Sequence, residues 1–172
     1  MRLFISLQLS SELKTALFAA QQTLRGNKVR GCFSPVENLH LTLAFIGEYG
    51  DPERVLDAMQ NVDFREFDLE LAGYIGSFGD VLWAGLEKSS ELESLVRKVR
   101  RALSEGEIHF DRRSFSPHIT LLRRTELPKG RFAVSDVKIE RASMLVTGIS
   151  LMRSDHGKHG PVYTELGTVP AI

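Results

Sequence analysis

The sequence predicts an α+β fold built from two similar lobes, a duplicated and bilobal arrangement. Strand patterns and helix patterns alternate along the first two thirds of the chain. The stretch LFISLQLSSEL at 3–13 resembles LWAGLEKSSEL at 82–92, and a His-x-Thr triplet follows each stretch at nearly the same distance. A repeated strand, helix and strand unit of this kind indicates a duplication, so we expect one bilobal domain spanning 1–172.

The first half of the chain shows strand and helix signals in turn. Leu13, Leu17 and Ala20 recur at helical spacing and predict the apolar stripe of an amphipathic helix. Asp51 and Pro52 are typical of an N-cap and a first helical turn. The predicted elements are a strand over 2–9, a helix over 11–25, a strand over 40–47 and a helix over 51–62.

The second half repeats the scheme and ends in strands. Gly79 and Asp80 separate two β-patterned runs and predict a hairpin turn. The clearest helix follows, with its apolar face formed by Leu92, Leu95, Val96, Val99 and Leu103. The predicted elements are strands over 67–78 and 81–87, a helix over 89–106, and strands over 117–123, 134–150 with an interruption, and 161–169.

Composition excludes several classes of protein. The chain has 172 residues and equal numbers of basic and acidic residues, 22 of each, so we expect any contact with nucleic acid to be local, to an end or a few nucleotides. No apolar run approaches the ~20 residues of a membrane span, and the opening stretch reads as a strand rather than a signal peptide. The single cysteine, Cys32, excludes an internal disulfide, and we expect a monomer in a reducing cytoplasm.

The two His-x-Thr triplets are the main functional signal. Five His and eight Thr would place fewer than one such triplet in the chain by chance, yet there are two, at equivalent positions of the repeat. Side chains alternate along a strand, so His40 and Thr42 share one face while Leu41, Leu43 and Phe45 are expected in the sheet core. His118 and Thr120 follow the same pattern against Ile119 and Leu121. An approximate two-fold axis between the halves would line one cleft with two imidazoles and two hydroxyls.

This set of groups suits displacement at phosphorus. Imidazole titrates near neutrality, so one histidine can accept a proton while the other donates one. Threonine hydroxyls can donate hydrogen bonds to oxyanions without adding charge. A 2′,3′-cyclic phosphate fits this arrangement, because its strained ester requires only a water and a proton donor. No clustered carboxylates, cysteines or Gly-rich phosphate loop are present, which predicts chemistry that needs neither a metal nor a nucleotide cofactor.

The segments that carry these signals resemble a known family. The tetrads HLTL and HITL are similar to those of the two-histidine phosphoesterase superfamily. More narrowly, RLFISLQL, NLHLTLAFIGE, VLWAGLE, FSPHITLLR and GPVYTEL resemble, in order, the RNA 2′,3′-cyclic phosphodiesterases once called 2′-5′ RNA ligases. The resemblance implies a bilobal α+β fold with two antiparallel sheets around a central cleft and helices on the outside.

The resemblance also implies roles for individual residues. His40 would be the proton donor and His118 the proton acceptor, Thr42 and Thr120 would hold the phosphate, and Arg123 would help to bind it. The expected partner is an RNA end or a nucleotide that carries a 2′,3′-cyclic phosphate. The expected product is a 2′-phosphomonoester, with weak reverse 2′-5′ ligation. Two alternatives remain open: a phosphodiesterase for small cyclic-phosphate or 2′-5′-linked nucleotides, and a non-catalytic module that binds RNA ends.

Other signals are weaker. Phe4, Phe45, Phe115 and Trp83 read as core residues, although Phe4 and Phe115 are the candidates for stacking a terminal base, because they lie close in sequence to the active strands. His156 and His159, in DHGKHG at 155–160, are interpreted as part of a flexible loop rather than as metal ligands, and His109 as an ordinary loop or edge histidine.

Overall fold

The computed structural model describes all residues from Met1 to Ile172. It contains three α-helices, two 3₁₀ turns at Val36–Asn38 and Val134–Asp136, and nine strands. The helices are α1 (Ser11–Gly26), α2 (Pro52–Met59) and α3 (Ser90–Glu105). The strands are β1 (Arg2–Gln8), β2 (Arg30–Phe33), β3 (His40–Glu48), β4 (Phe67–Phe78), β5 (Val81–Leu86), β6 (Ile119–Glu126), β7 (Ser143–Val146), β8 (Gly148–Gly157) and β9 (Gly160–Pro170). None of the helices is long and apolar enough to span a membrane.

The nine strands form two antiparallel sheets, as expected. The four-stranded sheet has the order β3-β1-β8-β9, and the five-stranded sheet has the order β2-β6-β5-β4-β7. β3 and β6 contact each other where the two sheets meet. The two His-x-Thr segments therefore face one another across the junction of the lobes.

Equivalent elements of the two halves form for the same local reasons. The hydroxyl of Ser10 accepts a hydrogen bond from the backbone N–H of Leu13 at 3.3 Å and caps α1. Ser89 caps α3 by the same bond to Leu92, at 3.1 Å. Each capped helix joins a strand to the antiparallel strand that pairs with it, β1 to β3 and β5 to β6.

The halves also exchange segments, which ties the lobes together. The backbone N–H of Ser34, just after β2, donates to the carbonyl of Leu121 in β6 at 2.9 Å. In the other half, the N–H of Asp111 donates to the carbonyl of Phe45 in β3 at 2.8 Å. The Gln21 side chain of α1 likewise donates to the Leu121 carbonyl, at 2.9 Å, so the first helix packs against the second sheet. One continuous core of 44 buried residues runs through both lobes.

Four features differ from the sequence-based expectations. The strand β2 was not predicted, because only four residues form it and none of them is buried. The helix expected over 51–62 ends at Met59. Residues 155–160 form no loop: they close the β8–β9 hairpin through a two-residue turn at Lys158-His159. The expected strand over 134–150 consists of a 3₁₀ turn, β7 and the start of β8.

Candidate active site

Each histidine of the repeat lies at the start of a strand. His40 is the first residue of β3, and His118 immediately precedes β6. His40 and Thr42 are half-buried and alternate with the buried Leu41 and Leu43. His118 and Thr120 are also half-buried, with the buried Ile119 between them. The polar pairs thus occupy the cleft face, and the aliphatic side chains form the core behind it, as the strand period predicts.

A β-bulge interrupts both strands at the same point. In β3, Thr42 pairs with Ser6 and Ala44 with Ile5, so Leu43 is an extra residue. In β6, Thr120 pairs with Trp83 and Leu122 with Leu82, so Leu121 is an extra residue. A bulge reverses the alternation of side chains that follow it.

The bulges decide which residues return to the cleft face. Five residues after each histidine, the reversed alternation brings Phe45 in one strand and Arg123 in the other back to the face of the histidines. Phe45 was expected in the core; it is instead half-buried, with the Arg2 guanidinium 5.1 Å from its ring centroid. Arg123 is exposed, and its charge acts on His40 across the cleft. The structure therefore brings Arg123 together with both histidines.

Both imidazoles are oriented by the same local hydrogen bond. His40 Nδ1 lies 2.6 Å from the carbonyl of Asn38, and His118 Nδ1 lies 2.7 Å from the carbonyl of Ser116. A carbonyl only accepts, so Nδ1 carries the proton in each ring. Nε2 of each ring is then the atom that can exchange a proton in the cleft.

His40 is enclosed by its neighbours. Its Nε2 lies 2.9 Å from the Thr42 hydroxyl, and its ring centroid lies 5.0 Å from that of Phe4 and 5.2 Å from that of Tyr163. The Asn38 side chain donates to the carbonyl of Pro161 at 2.9 Å, which ties the turn before His40 to the strand that carries Tyr163.

Burial lowers the pKa of His40, and the nearby charges of Arg123 and His118 lower it further, against the opposing effect of the Asn38 hydrogen bond. Neutral His40 accepts at Nε2, so the Thr42 hydroxyl donates to it. Burial raises the pKa of Tyr163, although Arg123 and Arg2 oppose the shift. Tyr163 therefore stays a neutral phenol at physiological pH.

His118 lies among a different set of rings. Phe78 contacts it edge-on at 5.1 Å and 84°, and Trp83 lies 6.1 Å away at 61°. Phe78 and Trp83 also contact each other at 4.8 Å. Sequence reasoning assigned Trp83 to the core and did not consider Phe78. Trp83 lies near His118 because it pairs with Thr120 in the β5–β6 ladder. That pairing depends on the register of the two strands, which the sequence alone does not give.

The two predicted base-stacking residues are not placed for that role. Phe4 does contact His40, but it is only 3% exposed and offers no free ring face. Phe115 is half-buried and packs against the hydrophobic core. His109, His156 and His159 are exposed, and no group of three or more His, Cys, Asp or Glu side chains is arranged to hold a metal ion.

The chain is similar in sequence to a known family of proteins. The family model of the 2′-5′ RNA ligase superfamily matches residues 14–158. The chain belongs to this superfamily. It is 27% identical to the RNA 2′,3′-cyclic phosphodiesterase of Methanothermobacter thermautotrophicus over 96% of each chain. It is 34% identical to the Thermus thermophilus protein of the same name, over 96% of this chain and 88% of that one.

Solved structures share this fold. The apo crystal structure of Escherichia coli LigT is 25% identical and superposes with a TM-score of 0.81, covering 99% of this chain and 96% of that one. LigT has also been solved in complex with 3′-AMP. The α+β architecture with two antiparallel sheets therefore matches that of LigT.

Proposed function

We propose that this protein hydrolyses the terminal 2′,3′-cyclic phosphate of RNA to a phosphomonoester by two-histidine acid–base catalysis. The observation that carries the proposal is the pair of imidazoles, each fixed through Nδ1 by the carbonyl two residues earlier and each presenting Nε2 to one cleft. The relatives named RNA 2′,3′-cyclic phosphodiesterase support the choice of substrate.

The first step is binding of the cyclic phosphate between the strands β3 and β6. The hydroxyls of Thr42 and Thr120 donate hydrogen bonds to its non-bridging oxygens, and the Arg123 guanidinium pairs with its negative charge. The anion also offsets the repulsion that Arg123 exerts on protonated His40. Substrate binding therefore raises the pKa of His40 and favours the imidazolium form that an acid requires.

The chemical step is an in-line displacement. His118 Nε2 removes a proton from a water molecule, the water oxygen bonds to phosphorus, and the ester bond on the opposite side breaks. His40 Nε2 gives its proton to the departing ribose oxygen. One water is consumed, and the two histidines exchange protonation states, which solvent resets. The site supplies acid, base and positive charge from its own side chains, so the proposed reaction uses no metal ion and no nucleotide cofactor.

The resemblance to the family assigns the departing oxygen as the ribose 3′-oxygen, so the proposed product is a 2′-phosphate. If a 5′-hydroxyl takes the place of water, its oxygen bonds to the phosphorus of the cyclic phosphate, the bond to the 3′-oxygen breaks and that oxygen takes a proton, which gives a weak 2′-5′ ligation. Phosphorus NMR of the product, together with a phosphatase specific for 3′-phosphates, tests the direction. A predominantly 3′-phosphate product would reverse the orientation of the substrate while leaving the two-histidine chemistry in place.

The experiment that tests the function is a panel of substrates incubated with the protein in excess EDTA. The panel contains RNA oligonucleotides with 2′,3′-cyclic phosphate ends, nucleoside 2′,3′-cyclic phosphates and 2′-5′-linked dinucleotides. We expect turnover of the cyclic phosphates, unchanged by the chelator. Activity that EDTA abolishes and a divalent ion restores would contradict the mechanism. Turnover of only the 2′-5′-linked dinucleotides would favour the small-nucleotide alternative.

A further inference from the structure

A groove rich in basic side chains lies at one edge of the five-stranded sheet, and the proposed reaction does not use it. The edge strand is β2, which pairs with β6, the strand that carries Arg123. The groove has a volume of about 660 Å³ and lies between β2 and the end of α1. Its lining residues are Arg25, Lys28, Val29, Arg30, Gly31 and Phe33. We call it the basic groove.

The positive charges of the basic groove are not neutralised by acidic side chains. Arg25, Lys28 and Arg30 are exposed, and none of the ion pairs in the structure includes one of them. Glu126 lies opposite Arg30 in the β2–β6 ladder but forms no ion pair with it. The Arg25 guanidinium lies 4.1 Å from the centroid of the Phe33 ring, which holds it at the wall of the groove. Unpaired cations gathered in a groove favour an anionic ligand.

The second half of the chain repeats the turn that builds this groove. After α1, the backbone N–H of Lys28 donates to the carbonyl of Arg25 at 2.9 Å. After α3, the N–H of Glu107 donates to the carbonyl of Ser104 at 3.0 Å. Lys28 and Glu107 also share a positive φ, of 64° and 57°. The same backbone therefore forms with a lysine in one half and a glutamate in the other.

Only the turn of the first half is basic. In the second half, Glu107 pairs with Arg54 at 3.6 Å, and His109 takes the place of Arg30. The macrodipole of α1 favours a cation such as Arg25 in its last turn, but it does not account for Arg30, which lies in β2. The concentration of charge therefore indicates a ligand rather than a requirement of the fold.

The basic groove is continuous with the cleft. Cys32 of β2 lies directly opposite Arg123 in the β2–β6 ladder, so the two side chains share the cleft face. Arg30 is two residues farther along β2, roughly 7 Å at the rise of an extended strand. Arg124 is also exposed and free of ion pairs, and it extends the positive surface between them. A bound phosphate at Arg123 would thus lie next to further cations on one side only.

We propose that the basic groove binds the sugar–phosphate backbone of the RNA that precedes the terminal cyclic phosphate. The inference rests on the proposed function, since it takes the cyclic phosphate to lie between the histidines. A 2′,3′-cyclic phosphate closes the 3′ end of a strand, so all other phosphates of the substrate lie on its 5′ side. Lysine and arginine bind these phosphates without reading the bases. The protein therefore favours the ends of oligonucleotides over mononucleotides, whatever their sequence.

Substrates of increasing length test whether the basic groove is used. They are adenosine 2′,3′-cyclic phosphate and a dinucleotide and a hexanucleotide of RNA with the same terminal group. We expect kcat/KM of the wild type to rise with length. A groove variant, Arg25→Gln/Lys28→Gln/Arg30→Gln, should lower kcat/KM for the hexanucleotide on the order of 10–10²-fold and leave that for the mononucleotide unchanged. An equal loss for both substrates would contradict the proposal.

A second triple variant separates the basic groove from the net charge of the protein. Arg97, Lys98 and Arg101 are exposed on α3 and do not line the groove, and their replacement by glutamine removes the same charge. We expect this control to hydrolyse every substrate as the wild type does. Equal losses in the two variants would show that RNA responds only to net charge and would overturn the proposal. Circular dichroism of each variant establishes that it is folded.

Binding of a product RNA measures the backbone contacts without turnover. The ligand is a fluorescein-labelled hexanucleotide that ends in a 2′-phosphate, and fluorescence anisotropy gives its Kd over a range of salt concentrations. Each phosphate contact of a single strand contributes about 0.7 to the slope of log affinity against log salt concentration, so the slope of the groove variant should be less steep by about 2. An unchanged slope would overturn the proposal.

Failure of the basic groove and failure of the proposed function give different results. Binding of the hexanucleotide that depends on the groove, without hydrolysis of any cyclic phosphate, would support the basic groove and refute the reaction. Hydrolysis of all three substrates with equal kcat/KM, and the same salt dependence in the wild type and the groove variant, would refute the basic groove and leave the reaction.

Discussion

The two sides of the cleft share their backbone geometry and differ in their surroundings. Each side has a histidine fixed through Nδ1 and a bulge three residues beyond that histidine. On the first side, Phe4 and Tyr163 enclose His40 and its pKa is lowered. On the second side, His118 lies beside exposed rings. The two halves therefore hold their histidines in the same way but in unequal surroundings.

This difference gives a physical reason for the proposed division of roles. A general base that activates water has to meet water, and His118 lies on the more open side. A general acid is best shielded from water, because its proton must pass to the leaving oxygen and not to solvent. The residues that return to the cleft face after the bulges also differ in polarity: the apolar Phe45 lies on the side of His40, and the charged Arg123 lies on the side of His118. Substitutions that remove single elements of this asymmetry should therefore have effects of graded size.

The largest effect is expected from removing either imidazole. His40→Ala and His118→Ala should each lower the turnover of a cyclic phosphate by about 10²–10⁴-fold, the usual contribution of a positioned acid or base. His109→Ala, at an exposed position outside the cleft, serves as the control and should retain full activity. Near wild-type turnover by either cleft variant would show that its imidazole transfers no proton in the rate-limiting step.

A smaller loss is expected from Arg123→Gln. The substitution removes the positive charge on the cleft face of β6 and leaves a shorter, uncharged polar side chain, so kcat/KM should fall by roughly 10–10²-fold through weaker phosphate binding. Phe45→Leu alters the equivalent position of β3 and should change kcat/KM little. Steady-state kinetics of both variants make the comparison, and equal losses would contradict an anchoring role specific to Arg123.

A still smaller loss is expected from Asn38→Ala. This variant keeps the carbonyl that holds His40 Nδ1 but removes the amide that donates to Pro161. One hydrogen bond of this kind contributes about 0.5–1.5 kcal/mol, so kcat should fall by about 2- to 10-fold as His40 loses its fixed orientation.

Ser116→Ala is the matched control for Asn38→Ala, since Ser116 holds His118 through its carbonyl alone. It should leave kcat unchanged. NMR of the His40 ring in both proteins provides a second readout, with a change expected only for Asn38→Ala. An unchanged kcat and an unchanged ring signal in Asn38→Ala would show that the tie to Pro161 does not position His40.

Much of this architecture could be predicted from the sequence, and each feature that was missed has an identifiable physical cause. Strand period placed His40, Thr42, His118 and Thr120 on one face, because alternation is local. The bulges at Leu43 and Leu121 could not be predicted from the sequence, because a bulge depends on how a strand pairs with its neighbour. Phe45 was assigned to the core for this reason. Arg123 was found through the family resemblance, and not through alternation.

The surroundings of each histidine could not be predicted from the sequence for a related reason. Residues from distant segments create it: Tyr163 lies 123 positions from His40, and Phe78 lies 40 positions from His118. Closeness in sequence selected Phe4 and Phe115 as base-stacking candidates, whereas burial decides whether a ring has a free face. Local patterns therefore identified the candidate histidines and threonines, whereas the residues that surround them could be identified only from the register of the sheets.

The smallest effect concerns folding stability and follows from the lowered pKa of His40. An unfolded histidine titrates near pH 6.5, so below that pH the unfolded chain binds a proton that folded His40 resists. The contribution of His40 to stability is complete above about pH 6.5 and is lost as the pH falls through its lowered folded pKa. One such group gives a slope of at most ~1.4 kcal/mol per pH unit.

Urea unfolding of the wild type and His40→Asn between pH 5 and pH 8 measures this contribution as the difference between the two proteins. The difference should vary below pH 6.5 and stay constant above it. Asp111, whose pKa the Arg113 hydrogen bonds lower to about 2, titrates far below this window and does not disturb the comparison. Arg123→Gln removes one of the charges that disfavour imidazolium, so its stability should fall less steeply on acidification than that of the wild type. A pH-independent difference between the wild type and His40→Asn would mean that His40 keeps an ordinary pKa in the folded protein. The contrast between an enclosed and an open histidine would then rest on ring contacts alone.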